Sequence, residues 1–362
     1  MIPDSSSENY PNLRYQHDKV QVNEDAPSFT MSMNDYATYS NLGLLQPITP
    51  DLIQAMAIRV LKNEQFDLLF DVANVDLSIV NAIRRIIIAE IPTVAIETVF
   101  MKNNTSVMPD EVLSHRIGLV PLKVNPDLLE YRNPGDPVTP ENTLAFTMHV
   151  QCTNKPGVDQ DLTDKLKYNN SHVYSRDIKW VPQGQQQEEK FAHSPPVPVH
   201  DMILLLQMRP NQVVSMDMHA VKGIGKTHAK FSPVATASYR LLPEINLVRP
   251  ILGRTAELLR AACPLNVFDI EDGPEAKRCV VARPRNCSMC RECIRSGNGS
   301  WKDQLPEKDR EEVNKSIVLT RAKDYVIFSV ESTGILDSST LVLQAFDIFL
   351  QKIKQLNAAL SV

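Results

Sequence analysis

Phe66, Leu68, Phe70 and Val72 fall on every second position, with Asp67, Leu69 and Asp71 between them. A period of two predicts a strand buried mainly on one face. The period then changes. Leu77, Val80, Ile83, Ile87 and Ile91 recur at helical spacing behind an N-cap candidate, Asp76. Pro92 stops that helix, because proline lacks an N–H and its ring clashes with the preceding turn. Thr93 to Met101, "TVAIETVFM", is rich in β-branched residues and predicts a second strand. Upstream, "PITPDLIQAMAIRVLKN" (47–63) is expected to hold a short helix.

The same texture returns near the other end. "DYVIFSV" (Asp324 to Val330) predicts a strand, and Asp337, Ser338 and Ser339 are cap candidates for a long helix. Within it Val342, Phe346, Phe349, Ile353, Leu356 and Leu360 step by 4, 3, 4, 3 and 4, a heptad seam. Periodicity alone leaves two readings open, packing on the chain's own sheet or against a partner helix. Between the ends lie strand-like runs, "NTLAFTMHVQC", "SRDIKWVPQG", "ILLLQMRP" and "VVSMDMHAV". "QGQQQEEKFAHSPPVPVH" is a loop by composition, and no internal repeat is visible.

Length and charge narrow the function classes. The 362 residues allow two or three domains. The chain is 43% hydrophobic and 22% charged, with net charge −5. That balance argues against a surface devoted to gripping nucleic acid, which is normally basic. No apolar run of about 18 residues is present to span a membrane. Residues 1 to about 35 are polar and expected to form a tail, without the charged and apolar regions of a signal peptide. The cysteines are therefore expected to be reduced, and clustered ones to act as ligands.

Candidate chemistry is sparse. Gly225-Lys226-Thr227 resembles the end of a phosphate-binding loop, but the pattern needs glycine where Ala220 stands, and Pro233 interrupts the following helix. His115 and His228 are isolated, and no catalytic constellation is present. Arg84 and Arg85 sit amid isoleucines, which suggests a face that docks something acidic or polar. The distinctive motif is "CSMCREC", with Cys287, Cys290 and Cys293 at C-x2-C-x2-C spacing. In bacterial-type ferredoxins such a triplet is completed by a distant cysteine followed by proline, as Cys263-Pro264 is here. Cys279 is the rival, without the proline. A second cluster would need a cysteine where Gly297 stands. The four thiols Cys263, Cys287, Cys290 and Cys293 thus fit one 4Fe–4S cluster, one zinc ion, or an empty reduced site.

Several stretches together resemble the α-like subunits of cellular RNA polymerases, the family of bacterial α and its archaeal and eukaryotic counterparts. These are "NAIRRIIIAEIPTVAIETV", "NNTSVMPDEVLSHRIGLVPLKVNP", "KGIGKTHAKFSPVATASYRLLPEI", "YNNSHVYSRDIKWVPQG" and "FSVESTGIL". They run in order from about Phe66 to the C-terminus and are nearest the branch serving RNA polymerases I and III. The resemblance implies an α+β fold with a discontinuous dimerisation domain, 56–103 plus 316–362, after a tail over 1–55. It implies an inserted, mainly β domain over 104–249 and a small ferredoxin-like, cysteine-containing domain over 250–315. The chain is then expected to be a non-catalytic assembly scaffold in the nucleus, including the nucleolus. Its expected partners are a small α-like subunit, the two large catalytic subunits and small assembly subunits. The dimer interface would use Val342, Phe346, Phe349, Ile353, Leu356 and Leu360 with Ile83 and Ile87, while Arg84 and Arg85 would dock a large subunit. No membrane and no specific nucleic-acid contact is expected. The alternatives are an Fe–S redox protein, or the RNA polymerase II or archaeal counterpart.

Overall fold

The computed structural model describes residues 19–24, 55–156, 163, 167–273, 276–296 and 299–360. Most of the expected N-terminal tail, and residues 47–54 of the expected short helix, lie outside the described residues. Two described pieces of these segments depart from expectation. Lys19–Val22 forms a strand (β1) paired antiparallel with Leu319 to Ala322, and Val22 is buried. Ala57–Asn63 is also a strand (β2), where a helix was expected. All its side chains are exposed, so no helical face is buried there; pairing with β3 (Asp67–Ala73) supplies its backbone partners instead.

The chain continues through α1 (Leu77–Ala89), β4 (Pro92–Asn104), α2 (Asp110–Gly118) and β5 (Leu122–Lys123). Next come β6 (Thr143–Gln151), β7 (Thr153–Asn154), β8 (Tyr168–Asn169), β9 (His172–Tyr174) and β10 (Lys179–Val181). Then follow α3 (Gln185–Lys190), β11 (Val197–Pro198), β12 (Leu204–Gln207), β13 (Val213–Ile224) and β14 (Val234–Leu247). The last elements are α4 (Gly253–Ala262), β15 (Phe268–Glu271), β16 (Arg278–Val281), α5 (Glu307–Asn314), β17 (Ile317–Ser332) and α6 (Ser338–Leu360). Helices and strands do not alternate as βαβ units, and the strand registers described are antiparallel, which makes the fold α+β.

The sequence signals act locally as physical chemistry requires. The Asp76 carboxylate accepts a hydrogen bond from the Ser78 N–H at 2.7 Å, capping α1. Pro92 opens β4 directly after that helix. The stretch expected to be loop throughout 183–200 contains α3. There the buried Gln187 amide donates to the carbonyls of Pro140 and Thr143 at 2.7 and 3.1 Å, tertiary bonds that composition does not reveal.

The chain divides into two compact units, each built from three segments. The described residues within 1–59, with 70–80 and those within 239–328, form the first. Its sheet has the order β1-β17-β3-β2, with β14 also pairing with β17. The rings of Phe70 and Phe328 stack at 5.1 Å, and Tyr239 lies 6.2 Å from Phe328. Beside this sheet α4 packs on the β15–β16 hairpin, and Leu259, Phe268, Cys279, Cys293 and Leu319 share one buried core.

The described residues within 60–69, 81–238 and 329–362 form the second unit. Its main sheet has the order β10-β6-β13-β4. Inward positions of β6 and β13 (Phe146, Met148, Met216 and Met218) join Leu113 and Ile117 of α2 in the core. Alternate residues of β13 are partly open, as the period-two pattern demands.

Candidate functional site

Helix α6 starts as a core element and ends as a surface. Leu341, Val342 and Ala345 are buried, Phe346 and Phe349 are half-buried, and every residue from Leu350 to Leu360 is exposed. Leu350, Ile353, Leu356 and Leu360 are 49%, 40%, 61% and 76% exposed, so among the described residues nothing fully covers this run of large apolar side chains. An ion pair from Lys352 to Glu90, at 2.5 Å, ties the open half of α6 to the end of α1. The expected seam is thus open in its second half only. Ile83 and Ile87 belong to the buried side of α1 and, like Val342, offer no surface to a partner. Arg84 is half-buried, with its guanidinium donating to Asn81 Oδ1 at 3.0 and 3.2 Å, and Arg85 is exposed.

Near-motifs resolve into structural parts. Gly225 approaches the end of α1 so closely that a Cβ there would lie 2.2 Å from the Ile88 carbonyl oxygen. The next backbone N–H, of Lys226, donates to the Ala89 carbonyl at 2.8 Å and satisfies the helix end. "GKT" here closes a helix. His228 accepts from the Lys230 N–H at 3.1 Å and caps a short 3-10 turn.

The four thiols singled out by spacing do come together. Cys263, Cys287, Cys290 and Cys293 line one void of about 20 Å³, walled also by Ile245, Val267 and Leu319. Cys279 is buried in β16 and does not line it. Backbone N–H groups already point at sulfur: Val267 donates to Cys263 Sγ and Met289 to Cys287 Sγ, each at 3.4 Å. Met289 and Arg291, on either side of Cys290, hold φ of 60° and 71°, conformations uncommon for such residues. Burial pushes the Cys293 thiol up to about 12, and the neighbouring thiols add to the rise. It raises Cys287 as well. A metal binding here has protons to displace. Among the described residues, no three His, Cys, Asp or Glu side chains already stand close enough to ligate an ion. Four thiols with N–H···S bonds are the donor chemistry of a thiolate-bound metal, but their present positions do not form a ligand set. Cys263 also lines an open cleft with Arg260, Asn266 and Lys277.

Residues 69–353 match the family described as the RNA polymerase Rpb3/Rpb11 dimerisation domain. The chain belongs to this family. The Rpb3/Rpb11 match takes in α1, the thiol loop and α6 as far as Ile353. Among relatives, the DNA-directed RNA polymerases I and III subunit RPAC1 of Homo sapiens is 42% identical over 300 residues, 82% of each chain. The rpac1 subunit of Dictyostelium discoideum is 36% identical over 94% of this chain and 93% of its own. The RNA polymerase II subunit rpb3 of the same organism is 27% identical over 84% of this chain and 94% of its own. Identity thus favours the I and III branch of the Rpb3/Rpb11 family.

Sequence reasoning missed residues that hold the thiol loop. Asp71 accepts from Arg285 and Tyr325, and Lys302 is buried near Cys293. The one available signal was an aspartate within an apolar strand; nothing local marked Lys302.

Proposed function

We propose that this chain is the non-catalytic α-like scaffold subunit of RNA polymerases I and III. It pairs through α6 with a smaller α-like subunit and so nucleates docking of the two large subunits and small assembly subunits. The exposed apolar run from Leu350 to Leu360, inside or beside the matched dimerisation segment, carries this reading. Burying a fully exposed large aliphatic side chain contributes about 1.5–3 kcal/mol, so these four, each still partly covered, supply roughly 3–7 kcal/mol. Association costs about 4–15 kcal/mol, so the seam is the centre of a larger interface rather than the whole of it. Exposed Arg85 remains the better placed of the two arginines to dock a large subunit. Work in the nucleus, nucleolus included, follows from that role. Within the same reading, 104–249 is an inserted domain and 250–315 a ferredoxin-like one.

The thiol site serves this scaffold as a structural staple. A water needs a void of about 10–15 Å³, so about 20 Å³ has room for a single ion such as zinc. Bound metal would link Cys263 to the 287–293 loop through its thiolates. A redox carrier is the poorer reading, because the family match extends far beyond the thiol loop.

The test is co-purification of the small α-like subunit with an Ile353→Asp/Leu356→Asp variant. Both side chains are exposed, so the isolated chain keeps its fold while heterodimer is lost. A variant that still retains its partner would show that α6 is not the interface.

A further inference from the structure

Three charged side chains fasten the two ends of the thiol loop. At the Cys287 end, Asp71 is 2% exposed. Its carboxylate accepts two hydrogen bonds from the Arg285 guanidinium, at 2.8 and 2.9 Å, and one from the Tyr325 hydroxyl at 2.8 Å. Arg285 sits in the 3-10 turn Pro284–Asn286, which closes with the Cys287 N–H donating to the Pro284 carbonyl at 3.0 Å. Holding the guanidinium therefore holds the first thiol of the loop.

At the Cys293 end, Lys302 is 3% exposed. Its ammonium donates to the Ile294 carbonyl at 2.7 Å and to the Asn314 side-chain oxygen. The Trp301 indole N–H, beside it in the chain, donates to the Glu292 carbonyl at 3.1 Å. Both ends are pinned, while Cys290 between them is exposed.

Stability alone is a weak account of this arrangement. Buried ion pairs can often be replaced by apolar side chains of similar volume without loss. Lys302 is the sharper case. Among the described residues its hydrogen-bond acceptors are neutral, and no carboxylate takes one of its protons. A buried ammonium met only by neutral acceptors is costly, unless an anionic centre lies close by. Burial pushes the Lys302 ammonium below its ordinary value, while the charge of Glu24 and then that of Cys293 favour it; thiolates gathered around a divalent ion would add to that support.

We propose that Asp71, Arg285 and Lys302 are positioning residues for a thiolate metal centre. Asp71 and Arg285 set the Cys287 end of the loop and Lys302, through the Ile294 carbonyl, the Cys293 end. The proposal rests on reading the four thiols as a metal site.

Zinc affinity of the full chain, measured by chelator competition, tests it. Lys302→Met and Asp71→Asn lower that affinity by about 10–100-fold, the usual cost of losing an outer partner of a metal site. The metal-free Lys302→Met chain still melts cooperatively, which separates loss of affinity from loss of fold. Tyr325→Phe removes one hydrogen bond only and lowers affinity by a smaller factor, which keeps the Cys287 end testable if Asp71→Asn does not fold. Wild-type zinc affinity in both Lys302→Met and Tyr325→Phe overturns the proposal and leaves the metal site standing. A wild-type chain that takes up neither zinc nor reconstituted iron and sulfide overturns the metal reading itself, and the proposal with it.

Discussion

Asp71 keeps a charge where burial works against one. Desolvation alone would raise its carboxyl, but the hydrogen bonds from Arg285 and Tyr325 outweigh it and hold the group below its ordinary value of 3.8. A depressed folded value stabilises the native state above the ordinary value, and that contribution fades as pH falls through the folded one. Acid should therefore loosen this unit, and Asp71→Asn should flatten the decline in melting temperature measured from pH about 5 down to about 2. An unchanged acid limb would mean that other carboxylates control it. Such a residue was hard to read beforehand. In "FDLLFDVA" the aspartates take the polar phase of an alternating strand, but Leu68, Phe70, Asp71 and Val72 are all buried. Its partners stand 214 and 254 residues away, beyond any periodicity argument.

Elements with strong local signals were legible in the sequence. Asp76 and Pro92 bracket α1 because a cap and a breaker act within one turn, and the seam of α6 repeats over the whole helix. Short, largely exposed elements were not. α5, "EKDREEVN", buries only Val313, and β2 buries none of its side chains, so neither prints an amphipathic pattern. The heptad could not say how far the chain itself would cover α6; burial ends at its middle. The Gly225 contact works at this scale too. Ile88 O and Ala89 Cα are backbone atoms and cannot swing aside, so Gly225→Ala should destabilise the fold by about 1–3 kcal/mol in denaturant titration. Lys226→Ala should be nearly silent by the same measurement, because Lys226 contributes its backbone N–H.

Each compact unit gathers three separated stretches of sequence, so neither is complete until remote parts of the chain have met. Loop closure of that kind slows folding more than it weakens the final state. The aspartate on β3 and the arginine before the thiol loop illustrate what this means for excised pieces. A fragment beginning at Tyr239 would carry all four thiols yet leave behind the carboxylate that seats their loop. Its metal chemistry would then misrepresent that of the intact polypeptide.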